Sequence, residues 1–199
     1  GRQVGLIGCG AIGSALARML HFGFGVRVTA FVRSPDKLPA YVQALDWQAC
    51  VSQADVLVPC VPLTDRTRGM VDAQAIAAMK PGAFLVNASR GEVIDEAALI
   101  DALRAGRLAG AALDVVADRQ GQHGALPPAL PNLVVTPHLA GHTTDAAARN
   151  GASVIRALEA VLLHAQAPEH LIDSAAWEPM LVRRQRLLGP AITRDESAR

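Results

Sequence analysis

At residues 8–13 the chain reads Gly8-Cys9-Gly10-Ala11-Ile12-Gly13. A short apolar run at 4–7 precedes this stretch, and residues 14–20 continue with the apolar spacing of a helix. A strand, a glycine-rich turn and a helix in this order are typical of dinucleotide-binding folds. In them the first glycine permits a tight turn, the second lets backbone approach a pyrophosphate, and the third lets the helix pack on the strand. We therefore predict that Gly8, Gly10 and Gly13 form a phosphate-binding turn.

Apolar runs and helical spacings alternate along the rest of the chain. The apolar runs predict strands at 4–7, 26–32, 55–60, 83–87, 110–114 and 133–136. The helical spacings predict helices at 11–21, 35–44, 47–53, 72–79, 95–105 and 145–165. Such alternation indicates an α/β fold, and strands that are apolar throughout indicate a parallel sheet covered on both faces. We expect a Rossmann-type, doubly wound parallel sheet.

The character of the sequence changes after the last predicted helix. Pro168 breaks the pattern, Trp177-Glu178-Pro179 reads as an irregular stretch, and residues 181–199 carry many arginines. We therefore expect a dinucleotide-binding domain over residues 1–166 and a carboxyl-terminal segment over residues 167–199, whose tail is either frayed or docks on something absent.

The bulk composition argues against several classes of partner. A formal charge of +1 on 199 residues gives no sign of a nucleic-acid surface. No apolar run is long enough to span a bilayer. Cys9, Cys50 and Cys60 form no CxxC pair, and an odd, scattered set of cysteines favours reduced thiols in the cytoplasm. We expect no nucleic-acid, membrane or metal partner.

The end of the second predicted strand bears on which nicotinamide cofactor fits. NAD-selective folds place an acidic residue there, which binds the ribose 2′-hydroxyl. Here Val32 stands in that place, and Arg33 and Ser34 follow it. A guanidinium and a hydroxyl suit a 2′-phosphate, whereas the alternative is a solvated arginine in a strand–helix loop. We predict NADP as the cofactor, with NAD as the alternative.

Two further strands are followed by side chains that suit carbonyl chemistry. Arg90 comes after the strand that ends in Val86-Asn87, and His138 comes after Thr136-Pro137. Open parallel sheets bind ligands at the carboxyl ends of their strands. A 2-oxoacid needs a cation to hold its carboxylate and polarise its carbonyl, and a proton donor that titrates near neutrality. Arg90 and His138 are therefore candidate catalytic residues, although a lone structural histidine is the alternative for His138.

Several motifs, in order, resemble the cofactor domain of the D-isomer-specific 2-hydroxyacid dehydrogenases. The resemblance runs from about residue 1 to residue 146. Besides the glycine turn it rests on five stretches: Cys60-Val61-Pro62-Leu63-Thr64, Met79-Lys80-Pro81-Gly82-Ala83, 87–91, Leu113-Asp114-Val115 and 136–141. The Arg33-Ser34 pair resembles the glyoxylate and hydroxypyruvate reductase branch of the family, which tends to use NADPH.

The resemblance implies a role for each matching residue. Arg90 matches the arginine that binds the carboxylate and carbonyl of the substrate, and His138 matches the acid/base that protonates the carbonyl oxygen. Asp114 matches the aspartate that binds the nicotinamide carboxamide. The resemblance places further backbone and loop positions around the cofactor: Ala11, Ile12, Pro62, Thr64 and Gly141.

One position departs from the pattern of the family. Where the family has a glutamate that pairs with the histidine, this chain has Arg119. A cation near His138 would disfavour the imidazolium form that donates the proton. We expect His123, in the same loop, to be solvated rather than catalytic. Weakened or pH-shifted catalysis is the expected consequence.

The resemblance also implies a substrate domain, built mostly from a segment that precedes the cofactor domain. That leading segment is missing here, and residues 171–179 resemble the piece of chain that returns to the substrate domain. A piece cut from a longer protein, a truncated gene product and a partner that supplies the second wall of the cleft all explain this.

Three functions remain open at this point. The first is an oxidoreductase that transfers a hydride between NADP(H) and a small 2-hydroxy or 2-oxo acid, such as glyoxylate or hydroxypyruvate. The second is a dinucleotide-binding module with little or no turnover, which Arg119 and the missing segment favour. The third is a structural half of a dimer, since the resemblance implies a homodimer. The apolar side of the helix at 145–165 suits such a contact, although core packing explains it equally well.

Overall fold

The computed structural model describes residues 1–117, 129–169 and 171–191. The chain forms two compact units, Gly1–Ala140 and Gly141–Arg199. The first unit holds all the strands of the described residues, and the described part of the second unit is helical. The division into functional domains at residue 166 stays a prediction.

The first unit is built on a sheet of parallel strands. In chain order the strands are β1 (Gln3–Ile7), β2 (Arg27–Phe31), β3 (Val42–Ala44), β4 (Val56–Pro59), β5 (Phe84–Asn87), β6 (Gly110–Leu113) and β7 (Leu133–Val135). Their order across the sheet is β3-β2-β1-β4-β5-β6-β7. The chain therefore builds one half of the sheet outward from β1 and the other half outward from β4. Ligands of such sheets bind where the order reverses, beyond the carboxyl ends of the strands.

α-Helices follow β1, β3, β4 and β5 in the first unit, and two longer helices lie in the second. They are α1 (Ala11–Arg18), α2 (Trp47–Gln53), α3 (Ala73–Ala78), α4 (Glu96–Arg104), α5 (Thr144–Leu162) and α6 (Trp177–Leu188). A short π-helical segment, Met19–Gly23, continues α1. Aspartate side chains cap three of these helices: the carboxylates of Asp46, Asp72 and Asp95 accept the N–H groups of Ala49, Ala75 and Ala98.

Apolar side chains cover both faces of the sheet. Neighbouring residues of β1 point to opposite faces, so that Ile7 joins one core cluster and Leu6 the other, both fully buried. Leu57 and Leu85 pack on the side of Ile7, and Val28 packs on the side of Leu6. Because strands buried on both faces are apolar at most positions, the apolar runs in the sequence are accounted for. The Rossmann-type, doubly wound parallel sheet is confirmed.

One predicted helix is wrong. Residues 35–44 form a short 3₁₀ turn at Pro35–Lys37, followed by the edge strand β3. Pro39 has no N–H to donate to a helix, and it also disfavours helical backbone at the residue before it. Val42 instead pairs with Val28 of β2. The other predicted strands and helices of the described chain agree with the structure to within three residues at each end.

The stretch from Trp177 to Pro179, which the sequence marks as irregular, is helical. These residues form the first turn of α6, where a proline is tolerated because the N–H groups of that turn have no partner within the helix. Arg184 of α6 is buried, and its guanidinium donates to the carbonyl oxygen of Leu162 at the end of α5. The interpretation of residues 181–191 as frayed is therefore wrong, and residues 192–199 lie outside the described chain.

Among the described residues, no helix combines the length and the apolar character that crossing a membrane requires.

Candidate dinucleotide and substrate site

The glycine turn between β1 and α1 is closed by backbone contacts that admit no side chain at two of its three glycines. Gly8 has a φ of +90°, and a Cβ there would lie 2.9 Å from the carbonyl oxygen of Cys60. A Cβ at Gly13 would lie 2.7 Å from the carbonyl oxygen of Gly8. A Cβ at Gly10, by contrast, would meet nothing within 4 Å. Gly10 therefore faces open space, which is where a ligand has room to approach.

The first turn of α1 presents its N–H groups to that same space. Gly10 precedes the helix without a side-chain cap, and its carbonyl oxygen accepts the N–H of Ser14 at 2.8 Å. The N–H groups of Ala11 and Ile12, in the first turn, have no acceptor within the helix itself. Together with the helix dipole these N–H groups favour an anion at this end of the helix, and the pyrophosphate contact stays a prediction.

Arg33 and Ser34 lie next to the glycine turn. The carbonyl oxygen of Phe31, the last residue of β2, accepts the N–H of Gly8 at 2.9 Å. This bond ties the end of β2 to the start of the turn, and Arg33 follows two residues later with an exposed side chain. Ser34 precedes the 3₁₀ turn, and its hydroxyl does not cap that turn. The site that sequence reasoning assigns to the 2′-substituent of the ribose is therefore exposed.

The loop after β4 carries Pro62 and Thr64, and Thr67 holds its shape. The hydroxyl of Thr67 donates to the carbonyl oxygen of Pro62 at 2.6 Å and accepts the N–H of Thr64 at 2.8 Å. Sequence reasoning missed Thr67. The signal is the pair of threonines three residues apart, because threonine hydroxyls bind nearby backbone groups in turns.

A buried amide organises the turn that carries Arg90. Asn87 is 1% exposed; its Nδ2 donates to the carbonyl oxygen of Arg90 at 2.9 Å, and its Oδ1 accepts the N–H of Ser89 at 2.9 Å. At Gly91 a Cβ would lie 2.0 Å from the carbonyl carbon of Val116, so only glycine fits there. These contacts fix the backbone on both sides of Arg90, whose side chain is exposed.

The turn after β7 carries His138, and Asp114 at the end of β6 holds it. The carboxylate of Asp114 accepts the hydroxyl of Thr136 at 2.5 Å, the N–H of Leu139 at 2.8 Å and the N–H of Ala140 at 2.9 Å. The carbonyl oxygen of Asp114 accepts the N–H of His138 at 2.9 Å. Resemblance assigns Asp114 to the nicotinamide carboxamide, and the structure adds these contacts to the histidine turn.

Asp114 is a carboxylate in spite of its burial. Burial raises the pKa of Asp114, but the hydrogen bonds from Thr136, Ala140 and Leu139 outweigh that effect, so that its pKa lies below the usual value. Hydrogen bonds to a carboxylate favour its charged form. The side chain therefore acts as an acceptor at neutral pH.

The carboxyl ends of β5, β6 and β7 enclose a hollow of about 370 Å³. It is lined by Val86, Asn87, Ala88, Ala112, Leu113, Asp114, Val134, Thr136, Leu139 and Ala140. The wall is mostly apolar, with one amide and one carboxylate, which suits a flat ring that carries a polar substituent. Arg90 follows Ala88 by two residues, and His138 stands between Thr136 and Leu139. Residues of both candidate turns thus line one hollow, whereas Arg90 and His138 themselves are not among its lining residues.

Two thiols of the first unit, those of Cys50 and Cys60, are protonated at neutral pH. Burial raises the pKa of Cys60 to about 11 and that of Cys50 to about 11. A thiol with such a pKa is protonated at neutral pH, and the thiolate is the reactive form. Cys50 is buried and Cys60 is partly buried, so neither thiol is placed to react.

Two predictions fall outside this geometry. Arg119 and His123 lie outside the described residues, and the effect of Arg119 on His138 stays a prediction. Gly141 is the first residue of the second unit, and its role in cofactor binding also stays a prediction.

Comparison with known proteins gives a family match over residues 1–140: D-isomer specific 2-hydroxyacid dehydrogenase, NAD binding domain. Glycerate dehydrogenase from Methylorubrum extorquens is 38% identical over 148 residues, which are 73% of this chain and 45% of that protein. Glyoxylate reductase from Thermococcus onnurineus is 40% identical over 151 residues, which are 73% of this chain and 44% of that protein. The chain thus spans less than half the length of these relatives.

A solved structure shares the fold. The NADPH-dependent glyoxylate/hydroxypyruvate reductase from Sinorhizobium meliloti, in complex with NADP and malonate, matches with a TM-score of 0.72 and 33% identity. The match covers 81% of this chain and 50% of that one. The matching family domain is named for NAD, whereas the structure of the Sinorhizobium meliloti reductase holds NADP. Both findings support a nicotinamide dinucleotide as the ligand of the glycine turn, and neither selects between the two.

Proposed function

The chain belongs to the D-isomer specific 2-hydroxyacid dehydrogenase family, and from that premise we propose that it carries the cofactor-binding half of an NADP(H)-linked oxidoreductase. The substrate would be a small 2-hydroxy or 2-oxo acid of the glyoxylate or hydroxypyruvate type. One observation supports this proposal above the others: the turns of Arg90 and His138 meet at the hollow between β5 and β7.

Arg90 and His138 would divide the chemistry between them. The guanidinium of Arg90 binds the carboxylate of the acid and polarises its carbonyl, because it offers several N–H donors in one plane. The imidazole of His138 gives a proton to the carbonyl oxygen during reduction and takes it back in the reverse direction. A bound nicotinamide supplies or accepts the hydride. The buried Asn87 and Asp114 hold the backbone of the two turns while this occurs.

Turnover is tested by following NADPH oxidation with glyoxylate and with hydroxypyruvate on the full chain. Consumption of NADPH supports the oxidoreductase. Saturable NADPH binding without consumption supports the second candidate, a dinucleotide-binding module. The observation that favours that candidate is Arg119, which stands where the family pattern has a glutamate that pairs with the histidine. A cation near His138 would disfavour the imidazolium form that donates the proton.

The proposed preference for NADP rests on Arg33, and removing this side chain is expected to reverse the preference. In Arg33→Ala the Kd for NADPH should rise about 10- to 100-fold, because a hydrogen-bonded charge pair contributes about 1.5–3 kcal/mol. The Kd for NADH should stay near that of the unmodified chain. Fluorescence titration with both cofactors measures the two constants.

Arg27→Ala is the matched control for this variant. Arg27 is also an exposed arginine, but it is the first residue of β2, whereas Arg33 comes two residues after the end of that strand. Its loss should change neither constant. Equal loss of NADH and NADPH affinity in Arg33→Ala would remove the basis for the NADP preference.

A homodimer is the assembly we propose. Val154, Ile155 and Leu158 of α5 are 58%, 58% and 52% exposed, and no residue of α5 is buried in the single chain. A helix with an uncovered apolar side suits burial against a second copy. Native mass spectrometry of the full chain should show twice the monomer mass, and a monomer at micromolar concentration would contradict the assignment.

A cytoplasmic location is also part of the proposal. The structure holds Cys9, Cys50 and Cys60 as free thiols. Thiols of this kind persist in a reducing compartment.

A further inference from the structure

The turn that carries His138 is held from one side by a single carboxylate. Of its five residues, 136–140, three donate to the side chain of Asp114 and a fourth, His138, donates its N–H to the Asp114 carbonyl oxygen. The contacts span 22 to 26 residues of sequence. They therefore tie the end of β6 to the turn that follows β7, directly beside the hollow.

His138 itself has an unfavourable backbone. Its φ is +56°, in the left-handed region that residues with a Cβ seldom adopt. Such a conformation persists where the surrounding contacts impose it, and such positions cluster at functional sites. Here the N–H of His138 and the N–H groups of the two residues after it all end on Asp114. Removing one of these contacts lets the backbone relax toward negative φ.

Thr136 supplies the contact that comes before His138 in the chain. Its hydroxyl donates to Oδ1 of Asp114, the same oxygen that accepts the N–H of Leu139. The two bonds reach that oxygen from opposite sides of His138 in the sequence. Thr136 thus fixes the entry to the turn, while Leu139 and Ala140 fix the exit.

We propose that Asp114 and Thr136 are positioning residues, which hold the His138 turn in the backbone conformation that aims its imidazole at the substrate carbonyl beside the hollow. This inference rests on the proposed function, in which His138 transfers the proton. It gives Asp114 a task besides the carboxamide contact implied by resemblance, and it gives Thr136 a task that neither its sequence motif nor the family match assigns.

Both residues line the hollow, but Thr136 allows a cleaner test, because it can lose its hydroxyl and keep its shape, whereas a change of Asp114 also removes the carboxylate expected to bind the carboxamide. Thr136→Val removes the hydroxyl and keeps the β-branched shape, whereas Thr136→Ser restores the hydroxyl. We expect kcat for NADPH-dependent glyoxylate reduction to fall about 10- to 100-fold in Thr136→Val, since small misplacements of a reacting group have effects of that size. KM for glyoxylate and Kd for NADPH should change by less than about threefold, and Thr136→Ser should recover most of kcat.

Thr143→Val is the control for a loss of stability alone. Its hydroxyl caps α5 by accepting the N–H of Ala146 at 3.0 Å, so the variant should lower Tm. The Thr143 hydroxyl does not contact the His138 turn through that bond, so the kcat of Thr143→Val should equal that of the unmodified chain. Amide hydrogen exchange of residues 138–140 provides a second readout, in which Thr136→Val should lose protection and Thr143→Val should keep it.

The outcomes separate this inference from the proposed function. If the unmodified chain turns over and Thr136→Val keeps its kcat, the positioning role is wrong and the oxidoreductase stands. The inference is also wrong if kcat falls but Thr136→Ser fails to recover it. If neither the unmodified chain nor any variant turns over, the oxidoreductase proposal fails, and amide hydrogen exchange alone tests the positioning role. Retained protection at Leu139 and Ala140 in Thr136→Val overturns that role, and lost protection supports it.

Discussion

Replacing His138 with glutamine is expected to lower kcat for glyoxylate reduction by about 10²- to 10⁴-fold, the usual contribution of a general acid. Glutamine keeps a polar side chain that forms hydrogen bonds, but it has no proton to give near neutral pH. The N–H that binds the Asp114 carbonyl oxygen belongs to the backbone and is retained. Kd for NADPH should therefore stay within about threefold, which places the loss in the chemical step rather than in binding.

His21→Gln is the control for the loss of an imidazole elsewhere. His21 follows α1 and stacks on Tyr41 with ring centroids 5.1 Å apart, far along the chain from the carboxyl ends of β5 and β7. Steady-state kinetics should show an unchanged kcat for it. A His138→Gln variant as fast as the unmodified chain would show that another group supplies the proton.

Replacing Gly10 with alanine is expected to weaken NADPH binding about 10- to 100-fold without destabilising the fold. The new Cβ meets nothing of the protein within 4 Å, and the backbone at Gly10 is extended, which alanine adopts freely. The methyl group instead occupies space that a pyrophosphate must enter. A misfit of one methyl group costs about 1–3 kcal/mol, which is about 10- to 100-fold in Kd. Calorimetric titration measures the binding and urea unfolding measures the stability.

Alanine variants of two other glycines serve as comparisons for Gly10→Ala. Gly13→Ala places its Cβ 2.7 Å from the carbonyl oxygen of Gly8, so that it should lower the free energy of unfolding by about 1–3 kcal/mol as well as the affinity. Gly23→Ala, whose Cβ also meets nothing, lies beyond α1 and should leave the affinity unchanged. An affinity in Gly10→Ala equal to that in Gly23→Ala would mean that no ligand approaches the turn at this point.

The architecture was predictable because each element of the sheet carries its own local signal. The buried strands are nearly continuous apolar runs, and the glycine turn has the spacing typical of a tight strand-to-helix connection. The edge strand β3 gave a mixed signal, since it has three residues of which only Val42 is buried. Pro39 was the sign against a helix, because it removes an N–H and restricts the residue before it.

The sequence suggests candidate residues for the site but not the contacts around them. It places Arg90 and His138 after strands, and parallel strands end at one edge, so the fold brings the turns of these two candidates to that edge. The Asn87 amide makes local contacts, with Ser89 and Arg90, whereas the hydrogen bond between Thr136 and Asp114 is a tertiary contact. The second joins residues 22 apart, and no periodicity in the sequence marks a bond between a carboxylate and a turn at that distance.

The central claim is that a nicotinamide dinucleotide lies along the carboxyl edge of the sheet, with its reactive ring beside Arg90 and His138. A crystal structure of the full chain grown with saturating NADPH tests it most directly. The claim predicts a pyrophosphate on the N–H groups of Ala11 and Ile12 and the nicotinamide ring in the hollow at the ends of β5, β6 and β7. A glycine turn without the cofactor, or a ring outside that hollow, would contradict it.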